Sequence, residues 1–298
     1  MKLSARTWRL LHVTALALVT CIVIAGLTRV DWTRTLDVLR RAQPSWLVVA
    51  ILANAAIIFA WAEFWRLLRP PTELPVTYRR MFEISATASA LMNTLPFGGG
   101  HASSVVLLVR RAATSQRGAV SVLALDQLGE GIVKVALFLV VALFAPLPVW
   151  MRASVTTASL AVAAWLVVML VASRWARELA ILKSARALSA LLFVALTKVA
   201  EGLAIAAVAS AYGITLSVSG TLLVLAAAIL ASMLPLSPGN LGTYEAGVFL
   251  AYRHIGLSPE QALSLAIAQH ACFMIPSVGI GYLFLSAQTF ARRAIASR

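Results

Sequence analysis

Long apolar stretches alternate with short polar ones along most of the chain. Runs can be drawn at Leu10–Thr28, Trp46–Leu68, Gly118–Ala145, Ser154–Ser173, Leu188–Tyr212, Leu216–Leu236 and Ala262–Ala287. Each approaches or exceeds the ~20 residues that a helix needs to cross a bilayer core. The pattern predicts an all-α, polytopic membrane helix bundle. No stretch is polar enough for a separate soluble domain, so residues 1–298 read as a single integral membrane domain. One run breaks its own rule: "SMLPLSPGNLGTYEAGVF", Ser232 to Phe249, carries two prolines, three glycines and Glu245. Backbone groups freed by such a break cannot face hydrocarbon, so the break is expected to line a cavity or lie against protein.

An internal similarity pairs this break with an earlier one. "LPFGGGHASS", beginning at Leu95, lies over "LPLSPGNLGTYEAG", beginning at Leu234. With a four-residue gap, Leu95/Leu234, Pro96/Pro235, Gly100/Gly239, Ser115/Ser258, Ala119/Ala262 and Ser121/Ser264 coincide. If Phe82–Arg110 and Leu216–Arg253 each enter and leave on one side as re-entrant broken helices, the first opens to the cytoplasm and the second to the outside. That is two inverted-topology repeats, one at about 46–145 and the other at about 187–288. The alternative is that Leu-Pro-x-x-x-Gly occurs twice by chance in an apolar chain.

Composition agrees with lipid as the solvent: 61% of residues are hydrophobic, 12% are charged, and the mean hydropathy is +0.89. The net charge of +14 comes from cations in short segments between apolar runs, which fits anionic headgroups better than nucleic acid. Placing both termini in the cytoplasm puts most of the 25 Lys and Arg on the cytoplasmic side. The segment "RVDWTRTLDVLRRAQPSW" runs against that bias. Its Trp32, Leu36 and Leu39 have the spacing of an amphipathic helix lying in the interface. The basic start "MKLSARTWR" resembles a signal peptide, but it lacks a convincing cleavage site and reads as part of a retained first span. Cys21 and Cys272 lie in apolar runs and read as packing residues.

The candidate chemistry lies at the breaks and at charges inside the spans. Gly239 and Gly242 allow a tight turn, with Asn240 between them, and the helix resuming near Thr243 would present N–H groups suited to an anion such as phosphate. Gly98, Gly99 and Gly100 would do the same in the first copy, with His101 at a headgroup. Asp126, Glu130 and Lys134 fall at i, i+4 and i+8, so one helix face carries all three, either as a binding face or as a self-satisfied ion ladder. Lys198 and Glu201 read as a structural pair. Glu245 has no local partner and is the strongest single candidate for contact with substrate. His270, opposite Gln127 in the repeat, reads as a buried hydrogen-bonded histidine or as a functional one. Carboxylates outnumber ammonium groups in the interior, and helix ends for phosphate beside carboxylates for an amine would suit an amphiphile with both groups. No catalytic set, metal site or cofactor is expected.

At Pro235, Ser237, Pro238, Gly239, Gly242 and Glu245 the chain resembles the lysylphosphatidylglycerol synthase/flippase transmembrane family, whose signature runs roughly P-x-S-P-G-x-x-G-x-x-E. "NTLPFGGGHASS" followed by "VLALDQLGEG" stands at that family's second signature, a proline-glycine turn and an E-R-x-x-D helix. Asp126 and Glu130 keep the two acids in exchanged form, and Gln127 replaces the arginine. The resemblance implies re-entrant elements, movement of phospholipids or lipid-linked precursors between leaflets, and a place in the bacterial inner (plasma) membrane. Fused members carry an aminoacyltransferase domain, which is not present in these residues.

A lipid translocase is therefore the first expectation, with phosphate-bearing membrane lipids as partners and no nucleic acid. The alternatives are a membrane-embedded lipid-modifying enzyme or a partner subunit of one. A GxxxxGK[ST] nucleotide loop is not found, so an ion gradient or the lipid's own gradient would supply the energy.

Overall fold

A computed structural model describes residues 31–95, 99–144, 149–172, 184–233 and 237–296. The expected first span at Leu10–Thr28, Cys21, and Pro96, Gly98, Leu234 and Pro235 of the two turns lie outside the described residues.

Ten helices follow one another among the described residues: α1 (Trp32–Arg40), α2 (Pro44–Leu68), α3 (Tyr78–Thr94), α4 (Gly99–Arg111), α5 (Gln116–Phe144), α6 (Val149–Ala172), α7 (Ala185–Ala211), α8 (Val218–Ser232), α9 (Thr243–His254) and α10 (Pro259–Ala296). A 3-10 turn, Pro238–Asn240, joins α8 to α9. Among the described residues, three helices are long and apolar enough to cross a membrane: α2, α7 and the Pro259–Ala287 part of α10. The other expected spans at 118–145 and 154–173 are α5 and α6.

Helix lengths follow a repeated order. Helices of 25, 17, 13 and 29 residues (α2 to α5) are matched by 27, 15, 12 and 38 (α7 to α10). At 1.5 Å per residue the four short helices reach only about 18–26 Å, less than the ~30 Å core. Local chemistry starts them where they start: the Thr77 side chain accepts from Arg80 N ahead of α3, and Ser217 accepts from Gly220 N ahead of α8, each satisfying a free N–H of the first turn.

Each pair of short helices forms a hairpin closed by a glycine. A Cβ on Gly100 of α4 would collide with the Met92 backbone of α3, and one on Gly247 of α9 would lie 2.7 Å from Ala231 Cβ of α8. The hairpins open at opposite ends of α2. At its C-terminal end, Arg69 donates to Ala112 O (3.0 Å) and Thr114 Oγ1 (3.1 Å), just beyond α4. Glu73 accepts from Ser115 N (2.9 Å) on the same side. At its N-terminal end, Gln43 N donates to Ala211 O at 2.8 Å, where α7 ends and the chain turns into α8. The two tips meet: a Cβ on Gly239 would fall 3.0 Å from Asn93 O, near the end of α3.

Among the described residues, two apolar cores follow this division in the main, each borrowing a few residues from the other half, Ala50, Phe138 and Val141 in one direction and Ala190 and Val194 in the other. One gathers Trp65, Met81, Ile84, Leu108, Val122 and Leu128 from α2 to α5, and the other Val208, Val224, Ala227, Val248, Tyr252 and Leu265 from α7 to α10. The α1 helix lies across the start of α10. Thr35 is fully buried and its carbonyl accepts from Ser264 Oγ at 3.1 Å, while Trp32 and Leu36 are exposed. The expected amphipathic helix is therefore present, with Leu39 packed against the core and the other two apolar residues facing outward.

Candidate functional site

A cavity of about 190 Å³ opens where the two hairpin tips meet. Its walls come from both halves of the molecule: Asn54 (α2), Asn93 (α3), Lys134 (α5), Lys198 and Glu201 (α7), Ser232 (α8), Gly239 and Asn240 (the turn), Tyr244 (α9), and Gln269, His270 and Phe273 (α10).

The turn exists because its residues accept left-handed backbone. Gly239 has φ +62°, Asn240 +57° and Gly242 +87°, a region that costs most L-residues energy and that Gly and Asn enter readily. Ser237 Oγ donates to Leu241 O (2.6 Å) and Thr243 Oγ1 to Asn240 O (3.0 Å), so the turn satisfies several of its own carbonyls inside the bundle.

Charge enters the cavity through a ladder. Glu130 Oε2 is 3.1 Å from Lys134 Nζ and 3.4 Å from Lys198 Nζ, and Lys198 Nζ is 2.5 Å from Glu201 Oε1. Two carboxylates and two ammonium groups thus alternate across α5 and α7, with Lys134, Lys198 and Glu201 on the cavity wall. An ion in an apolar bundle is tolerated when it is paired in this way. Asn54 and Asn93 each donate Nδ2 to a carbonyl four residues earlier, at 2.9 Å. Their amide oxygens therefore have no partner among the described residues.

Asp126 does not join the ladder. Although it shares a helix face with Glu130 and Lys134, it turns toward α2, where its Oδ1 accepts from Trp61 Nε1 and Trp65 Nε1, both at 2.8 Å, and Oδ2 accepts from Gln127 Nε2 at 3.0 Å. The single face expected from spacing divides into two environments, because the helices packed on either side of α5 supply different partners.

Glu245 has partners that its local sequence did not show. Its Oε2 accepts from Gly242 N at 2.7 Å, closing the first turn of α9, and its Oε1 lies 2.7 Å from His270 Nδ1 on α10. It stands behind His270 rather than on the cavity wall. The His270 ring stacks on Tyr244 with centroids 4.4 Å apart. Its Nε2 is buried and without a hydrogen-bond partner. Tyr244 belongs to a second chain of bonds: Tyr252 Oη donates to Gln269 Oε1 (3.1 Å), and Gln269 Nε2 donates to Tyr244 Oη (2.9 Å).

Of the residues singled out from sequence, Gly239, Asn240 and His270 lie on the cavity wall, as do Lys134, Lys198 and Glu201; Gly242 and Glu245 support that wall, and Glu130 anchors its lysines. Gly99, Gly100 and the exposed His101 sit on α4, outside the lining, and Asp126 is sealed against α2. Asn54, Asn93, Tyr244 and Gln269 were missed. Asn54 and Gln269 are polar residues inside apolar runs, a signal that was available; Tyr244 offered only its place beside Glu245.

The profile of the family described as Lysylphosphatidylglycerol synthase TM region matches residues 12–281. No curated protein matches the chain.

Proposed function

The chain belongs to the lysylphosphatidylglycerol synthase TM region family, and from that premise we propose that it is a translocase moving a phosphate-bearing lipid between leaflets. It is an integral membrane protein. The observation that carries the reading is the cavity itself: an open hollow where Lys134, Lys198, Glu201 and several amide side chains stand among apolar ones, bordered by the tips of two hairpins that open at opposite ends of α2. Inverted-topology repeats with broken helices supply two exchangeable half-sites around a fixed centre. The repeated order of helix lengths and the meeting of Gly239 with Asn93 support that arrangement here.

The size of the cavity favours a headgroup over an acyl chain. At ~30 Å³ per water, about 190 Å³ holds roughly six waters, enough for a phosphate and a small substituent. Lys134 and Lys198 supply cations for the phosphate, while their carboxylate partners keep the empty site neutral. The acyl chains would remain in the bilayer beside the bundle. We place both termini in the cytoplasm of a bacterium, on the distribution of Lys and Arg.

The test is reconstitution into liposomes carrying fluorescent phospholipids or polyprenyl-phosphate lipids. Accelerated exchange between leaflets is expected for at least one phosphate-bearing lipid, and no acceleration for any of them overturns the proposal. One observation favours a second reading: a carboxylate bonded to a histidine whose other nitrogen is open is also the arrangement of a general base. Turnover of a lipid by the purified protein, abolished by Glu245→Gln, would establish a membrane-embedded enzyme instead.

A further inference from the structure

α10 is one continuous helix, yet its two ends hold different halves of the molecule. Up to His270 it grips the second hairpin, through partners that all belong to α9. His270 Nδ1 lies 2.7 Å from Glu245 Oε1, Gln269 Nε2 donates to Tyr244 Oη at 2.9 Å, and Gln269 Oε1 accepts from Tyr252 Oη at 3.1 Å. From Gly281 onward it grips the first hairpin, through partners on α3. A Cβ on Gly281 would collide with Ala86 O, Tyr282 Oη and Thr94 Oγ1 are 2.8 Å apart, and the Phe284 ring meets Phe82 edge-on with centroids 5.9 Å apart. Between the two sets stands Pro276, buried together with Ser277.

A proline has no N–H to give, so the Cys272 carbonyl receives no bond from position 276 and one rung of α10 is missing. Bending a helix inside an apolar bundle breaks backbone bonds that no water is present to replace. At Pro276 one of those bonds is already absent, which is why sharp helix bends concentrate at prolines. The repeat register sets Val133 of α5 opposite Pro276. There the helix keeps its N–H groups and is held on both sides: Glu130 Oε2 lies 3.4 Å from Lys198 Nζ on α7, and Asp126 Oδ1 accepts from Trp61 and Trp65 on α2. The last helix of the first half is fixed to its neighbours; that of the second half is jointed.

We propose that α10 hinges at Pro276, and that its front part carries the second hairpin away from the tip of the first, opening the cavity between them. The tip contact sits at the joint. A Cβ on Gly239 would fall 2.8 Å from Met274 Cε and 3.0 Å from Asn93 O, so the turn is wedged between α10, two residues before the proline, and the end of α3. A bend at Pro276 withdraws Gln269, His270 and Phe273 from Asn93, which lines the same hollow, while Gly281 and Tyr282 stay with α3. Toward α2 the front of α10 presents Cys272, whose Sγ is 4.0 Å from Leu47 O, a weak contact that can slide. The hinge rests on the translocase reading for its purpose, while the movement itself is measured without any transport.

Spin labels on Val106 of α4, Leu250 of α9 and Leu283 of α10, all exposed, are used in pairs to measure separations by double electron–electron resonance. The full chain, carrying Cys21→Ser and Cys272→Ser so that the chosen pair alone is labelled, is reconstituted into vesicles of phosphatidylethanolamine and phosphatidylglycerol. Two distances are expected for Leu250 with Val106 and for Leu250 with Leu283, since both pairs span the joint. Val106 with Leu283, on the same side of it, should give one. Pro276→Ala returns the missing backbone bond and should cut the weight of the second distance about fivefold, the worth of one hydrogen bond in a two-state ratio. A single distance for the spanning pairs overturns the proposal, and so does a ratio that Pro276→Ala leaves unchanged. Should that variant fail to fold, the label pairs decide alone: two distances for Val106 with Leu283 would put the movement elsewhere and overturn the hinge. Leaflet exchange of a fluorescent phospholipid is scored separately in the same vesicles. Two distances without exchange remove the translocase reading and leave the hinge standing, whereas exchange with a single distance does the reverse.

Discussion

Asp126 and Glu245 pose the same physical problem in the two halves of the molecule, a carboxylate inside an apolar bundle, and the bundle resolves it in two ways. Around Asp126 every partner is a terminus. Two indole N–H groups and one amide N–H converge on the carboxylate, and none of them faces the cavity. Around Glu245 the partner is a relay: the carboxylate bonds to His270, and the ring carries an unmade bond on its far side. A closed shell of donors stabilises packing, whereas an open one leaves interaction energy available to a ligand. The difference separates an acid sealed against α2 from one bonded to a cavity-wall residue, although neither distinction shows in the sequence.

Substitutions can break or sharpen that contrast. The largest effect is expected at Lys198, whose ammonium group bridges Glu130 and Glu201. Lys198→Met leaves Glu201 without its cation and Glu130 with Lys134 alone, and should cost about 3–5 kcal/mol, read as a lower midpoint of unfolding in detergent, together with loss of anionic lipid retention. Asp126→Ala comes next. It strands the Trp61 and Trp65 N–H groups and should cost about 2–4 kcal/mol, while the folded protein keeps its lipid preference. If that preference is lost, the two acids are not different in kind. Glu245→Gln should have the opposite balance, costing about 1–2 kcal/mol for a weakened bond to His270 and sharply reducing selectivity among lipids. The smallest change is expected from Trp61→Phe, about 1 kcal/mol, because Trp65 continues to donate to the same Oδ1. Near-ultraviolet circular dichroism would report whether the remaining tryptophan keeps its place.

Much of the architecture was legible from pattern. The spans over α2, α7 and α10 follow from runs of apolar residues, and the interruption near Pro238–Gly242 follows from residue types that cannot continue a helix. The meeting of the tips was anticipated only through a short similarity, Leu95 with Leu234 and Gly100 with Gly239. Those glycines proved to have different tasks. Gly100 lets α4 approach α3, whereas Gly239 takes a left-handed turn against the backbone of α3. The cavity was less legible than the fold. Gly99, Gly100 and His101 looked equivalent to the second turn but belong to a helix outside the lining, while Asn54, Asn93, Tyr244 and Gln269 became wall residues by virtue of their neighbours. A site assembled from seven helices has no contiguous signal to read.

By itself the sequence determined the solvent, the helical class and the positions where helices stop, because hydropathy, proline and glycine act on the residues that carry them. Tertiary structure decided the pairing of charges. Glu130 and Lys134 do pair along α5, but the tryptophans of α2 take Asp126 away from them and Lys198 of α7 adds a second cation to Glu130. In a medium of low dielectric a polar group takes the partner that packing brings within about 3 Å, and that proximity is a property of the assembled bundle.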